Sequence, residues 1–137
     1  MFSTTKTEFL SGDLAYSRIM KTDIIKNDEI VRKHLNVCWR EGDNCGKCDK
    51  CLRTLITLDF LGAIDNFSDV FDIDAYKNNR DRNIAYASVM SLRSIYFRQI
   101  MNYAKANKIN YRNGQFYYWS AMFSIQLIFR KLSSLFK

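Results

Sequence analysis

All four cysteines of this chain fall between Cys38 and Cys51, in the spacing C-x6-C-x2-C-x2-C. No other feature constrains the fold as tightly. A thiolate is a strong ligand for a borderline-soft metal, and two-residue gaps let the backbone wrap around one ion. Four sulfurs with no cysteine to spare make a closed tetrahedral set, so Cys38, Cys45, Cys48 and Cys51 are expected to hold a structural Zn2+ ion. Paired disulfides need an oxidising compartment. The opening MFSTTKTEFLSG has no apolar h-region, which points to a cytoplasmic setting. A redox C-x-x-C is normally one pair beside a βαβ pattern. The serious rival is a 4Fe–4S cluster, whose bacterial ferredoxin run continues x3-C-P after C-x2-C-x2-C. Here Leu52-Arg53-Thr54-Leu55 follows the last cysteine, and the chain has no proline. Zinc is therefore expected, with the cluster as the alternative.

The 137 residues suffice for one modest core. Charge is unevenly spread. Met1–Phe71 carries 10 Lys/Arg against 11 Asp/Glu, whereas Asp72–Lys137 carries 11 against 3, and no acid follows Asp81. Such a basic half suits an anionic partner, such as nucleic acid or lipid headgroups, or is simply a solvated face. Arg80, Arg82, Arg93, Arg98, Lys105, Lys108 and Arg112 are the candidate anion or nucleic-acid contacts.

The expected fold is mainly α: a small four-cysteine zinc knuckle and a helix, then a long amphipathic helix and a C-terminal aromatic helix. Three stretches follow from this, 1–37, 38–75 and 76–137. In the first, Thr4–Leu10 has weak strand character, Ser11-Gly12-Asp13 signals a turn, and a short helix is expected near Asp13–Met20. Asn27-Asp28-Glu29 reads as a cap for a helical turn through Leu35. Gly42, Asp43, Asn44 and Gly46 give the cysteine loop its turns. Leu52, Leu55, Ile56 and Phe60 mark a helix from Asp49, with Gly62 as its C′ residue. Its positive N-terminus favours thiolate over thiol at the last cysteines.

Residues 65–74 read as an acidic connection anchored by Phe67, Val70, Phe71 and Ile73, without the glycine and glutamate of a calcium loop. The stripe Ala85, Val89, Leu92, Tyr96, Ile100 and Tyr103 predicts one helix over 80–107. Asn113-Gly114 then introduces the aromatic helix. Its apolar run is too short for a membrane span and suits a core or dimer-forming helix, or one lying in a membrane interface.

The run Leu35-Asn36-Val37-Cys38-Trp39, continuing as Asn44-Cys45-Gly46-Lys47-Cys48-Asp49-Lys50-Cys51-Leu52-Arg53-Thr54, resembles the C-terminal zinc module of PP-loop ATP-pyrophosphatase-type enzymes. Within that type it resembles the group that includes 7-cyano-7-deazaguanine synthase and the adenine nucleotide α-hydrolase-like proteins. Phe2-Ser3-Thr4-Thr5 and Tyr16-Ser17-Arg18-Ile19-Met20-Lys21 are similar to the tail of the nucleotide domain, so the likeness covers about residues 1–75. It implies a structural zinc on the four cysteines and an ATP-dependent parent activity. That activity depends on an S-G-G-x-D-S loop whose amides cradle phosphates. This chain has Ser11-Gly12-Asp13, and its five glycines, at 12, 42, 46, 62 and 114, include no adjacent pair. The gap between Cys38 and Cys45 is also shorter than in the synthase. The chain is therefore expected to be a zinc-bearing portion that is not catalytic alone and meets ATP only through a missing half or partner chain. His34, the single histidine, is expected to be structural or solvent-exposed.

Overall fold

The computed structural model describes residues 16–40 and 42–135. Among them there are seven α-helices, one 3-10 turn and no strand. The strand and turn expected within Thr4–Asp13 lie outside the described residues.

Helix α1 (Arg18–Ile25) starts where the Ser17 side chain accepts the Met20 amide at 3.3 Å, a few residues later than the sequence suggested. Helix α2 (Glu29–His34) has the expected cap, with Asp28 accepting the Val31 amide at 3.0 Å. Helix α3 (Asp49–Phe60) is the centre of the molecule. It buries Cys51, Leu52, Leu55, Ile56, Thr57, Leu58 and Phe60, nearly its whole circumference. A helix buried on all sides must have partners all round, and α1, the 3-10 turn Ile64–Phe67, α5 (Arg80–Met90) and α6 (Ile95–Ala106) supply them. The buried Thr57 hydroxyl donates to the Arg53 carbonyl at 2.7 Å, so it leaves no polar orphan.

Gly62 ends α3 as expected, in the left-handed conformation at φ +65°. The Ala63 amide reaches back to the Leu58 carbonyl and that of Gly62 to Asp59, the paired bonds of a Schellman stop. The acidic connection then folds onto the core through Phe67, Phe71 and Ile73. Asp72 caps α4 (Ile73–Asn78) by accepting the Ala75 amide at 2.9 Å.

The stretch 80–107, expected as one helix, is two. Residues 91–94 break it, and Leu92 and Tyr96, assigned to the buried stripe, are exposed at 78% and 44%. A straight helix offers the core a single stripe, whereas the break lets α5 bury Ile84, Ala85 and Ala87 while α6 separately buries Phe97, Ile100, Met101 and Ala104. Arg98 holds the break by donating to the Ser91 and Leu92 carbonyls at 3.0 and 3.3 Å, replacing lost helical bonds.

Helix α7 (Gly114–Leu135) is capped by Asn113, which accepts the Phe116 amide at 2.8 Å and donates to Asp81 at the same distance. Phe116, Trp119 and Phe123 pack against the core on one face of it, and α5 is its main neighbour. Tyr117, Tyr118, Ile125, Ile128, Phe129 and Leu132 are exposed and, at 3.6 residues per turn, share the opposite face. No helix among the described residues is long and apolar enough to cross a membrane. The buried cluster runs without interruption from Ile19 to Phe116 and includes Cys51, so the cysteine loop is continuous with the core.

Candidate metal centre

The loop brings its four sulfurs together. The Sγ atoms of Cys38, Cys45, Cys48 and Cys51 all lie within 4.8 Å of one another. The Cys38–Cys48 and Cys45–Cys51 pairs are 3.9 Å apart, so none forms a disulfide. Cys38, Cys45 and Cys48 are half-buried, and Cys51 is fully buried. Among the described residues this is the one group of three or more metal-ligating side chains, and it can hold a metal ion. The exposed His34 is not in it.

The backbone is shaped for sulfur. Gly46 sits at φ +65°, which a side chain adopts only with strain, and this turns the chain between Cys45 and Cys48. The Cys48 amide then points at Cys45 Sγ (3.4 Å) and the Cys51 amide at Cys48 Sγ (3.5 Å). Cys48 is thus both a candidate ligand and the N-cap of α3. Amides directed at sulfur favour the thiolate. The Arg40 amide lowers the Cys38 pKa, and the Lys47 and Cys48 amides lower that of Cys45. For Cys48 burial opposes ionisation, yet the Cys51 amide and the neighbouring thiols bring its pKa down. Burial pushes the Cys51 thiol well up, so a metal must displace its proton.

Two asparagines hold the knuckle: Asn44, which the sequence marked only as a turn residue, and Asn36, to which it gave no role of its own. Asn44 Nδ2 donates to the Leu35 carbonyl at 2.7 Å and the Val70 carbonyl at 3.1 Å, while its Oδ1 accepts the Val37 amide at 2.9 Å. Asn36 Nδ2 donates to the Gly42 carbonyl at 2.8 Å, and its Oδ1 accepts the Cys38 amide at 3.2 Å. These bonds fix the strand of loop carrying Cys38 to the turn carrying Cys45. The usable signal was an Asn close before each of the first two cysteines, in a loop whose backbone has no helix or sheet to satisfy it.

Of the seven basic residues set apart as anion contacts, four meet groups of the chain itself. Arg80 donates from Nε to Asp59 Oδ2 at 2.7 Å, where Tyr76 Oη also donates. Arg82 lies over Trp119, Arg112 over Tyr111, and Arg98 caps backbone carbonyls. Arg93, Lys105 and Lys108 are exposed. Arg18, Lys50 and Arg53, which the sequence did not set apart, line one cavity. No family model matches the chain, and neither a curated protein nor a solved structure is significantly similar to it.

Proposed function

We propose that the four thiolates hold one structural zinc ion, and that the chain serves as the zinc-bearing portion of a PP-loop, 7-cyano-7-deazaguanine synthase-like nucleotide enzyme. The observation that carries the metal reading is the sulfur spacing. A tetrahedral ion with Zn–S bonds of about 2.3 Å needs its sulfurs about 3.8 Å apart. Two pairs stand at 3.9 Å and none exceeds 4.8 Å. A cubane cluster puts each thiolate on a different iron, with the cube between them, and asks for a wider cage. Four thiolates fill the tetrahedron, leaving no open position for a catalytic water, so the ion would hold structure and not react.

The enzyme-family part of the reading rests on the C-G-x-C-x-x-C run and its entry into a helix at Asp49. A nucleotide-binding domain with the phosphate-cradling loop would come from elsewhere in the assembly. Protein purified without oxygen should contain one zinc per chain and show no visible absorption. A coloured protein would replace zinc by iron, with mononuclear iron favoured over a cluster by the same spacing. Hydrolysis of ATP to AMP and pyrophosphate by this chain alone would overturn the claim that it is not catalytic by itself.

A further inference from the structure

Between α1, residues 31–37, α3 and α6 lies a cavity of about 330 Å³, within the range of small-molecule sites. Buried apolar side chains, Ile19, Leu58, Phe67 and Ile100, form much of its lining. Its charged lining is all basic: Arg18, Lys21, Lys26, Lys50 and Arg53 line it beside neutral residues such as Thr22, Thr54 and Gln99, and no Asp or Glu does. Lys26 is paired with Asp23 at 2.6 Å. Arg18, Lys50 and Arg53 meet no carboxylate among the described residues.

Aromatic rings hold these three cations in place. The Arg18 and Arg53 guanidinium carbons lie 5.1 and 4.5 Å from the centroid of the same ring, Tyr96, and Lys50 Nζ lies 3.6 Å from that of Trp39. Arg53 also donates from Nε to the Asp49 carbonyl at 3.0 Å, which uses one nitrogen of its fork. A ring orients a cation without cancelling its charge. The result is a preorganised positive wall beside low-dielectric apolar surface, where electrostatic attraction is strengthened. Two guanidinium forks fit the oxygens of a phosphate, and three uncompensated charges favour a dianion over a carboxylate.

We propose that this cavity binds a small phosphate monoester, its head against Arg18 and Arg53 and its apolar or aromatic body over Ile19 and Ile100. The inference stands on the cavity and is independent of which metal the cysteines hold.

Titration calorimetry on the full chain tests it with four probes: phenyl phosphate, inorganic phosphate, phenol and a short single-stranded RNA. Phenyl phosphate should bind one per chain, at least tenfold tighter than inorganic phosphate, and phenol should give no measurable binding. Arg18→Gln and Arg53→Gln should each weaken phenyl phosphate at least fivefold with the circular dichroism spectrum unchanged, since Arg18 is exposed and Arg53 half-buried. Arg53→Lys should fall between, keeping charge but losing the fork. Lys131→Gln, at an exposed residue that does not line the cavity, should change nothing. Equal affinity for the two phosphates, an equal loss in Lys131→Gln, or binding of RNA without phenyl phosphate would each overturn the proposal.

Discussion

Asn44 shows how much one side chain can carry where a loop lacks regular structure. Its amide satisfies three backbone groups, one of them the Val70 carbonyl from another part of the chain. Asn44→Ala would strand all three, at about 1–3 kcal/mol in total by the cost of unmade buried bonds. Urea denaturation should show a larger loss than for the exposed Asn36→Ala. Ser120 is the converse case. Its Oγ is buried with no partner among the described residues, so Ser120→Ala should stabilise by about 1 kcal/mol, read from the same denaturation curve. Cys51→Ser would remove the one fully buried candidate ligand and place a hydroxyl in the core cluster. Bound metal should fall well below one per chain and the melting temperature should drop.

At the scale of elements, α3 is fixed at both ends by backbone devices that were legible before any coordinates. Its cysteine start and its Gly62 stop depend on local rules, namely caps and left-handed φ, which act over a few residues. Nothing lies within 4 Å of a Cβ built on Gly62, so Gly62→Ala costs only its conformational strain, about 1 kcal/mol. Gly114, at the start of α7 and outside the left-handed region, should accept Ala with no loss or a small gain. The break between α5 and α6 was not legible. Residues 91–94 contain neither Pro nor Gly, and the apolar spacing of 80–107 fits an unbroken helix. Two separate stripes facing two sides of α3 decide it, together with an Arg98 that caps the freed carbonyls seven and six residues back. That is a tertiary choice, invisible to periodicity. The cavity basics were missed for a related reason. Arg18, Lys50 and Arg53 lie in the half of the chain with no net positive charge, and only folding gathers them around Tyr96 and Trp39.

For the whole molecule, alkali provides a probe of how α5 and α7 are joined to the cysteine end of α3. Tyr86 Oη donates to Asp49 Oδ1 at 3.0 Å, and its ring meets Phe97 and Phe123 edge to face. Burial, and then the Asp49 hydrogen bond, push its pKa up to about 12. A tyrosine whose folded pKa is raised stabilises the fold fully below its unfolded pKa, near 10, and loses that contribution as pH rises through the folded value. Stability followed by circular dichroism should therefore fall between about pH 10 and 12. In Tyr86→Phe, which keeps the ring contacts, that fall should be smaller.

Cys48 closes the cysteine loop and also opens the central helix. Ordering the first turn of a helix is the slow, unfavourable event in helix formation, with a nucleation constant of about 10⁻³. An ion on Cys38, Cys45, Cys48 and Cys51 would impose that turn on Asp49–Leu52 before any of the core has assembled, because all four ligands are near neighbours in the chain. The centre then governs tempo as well as strength: refolding from denaturant should speed up with free zinc concentration until the site saturates, and should be slowest when the ion is added last.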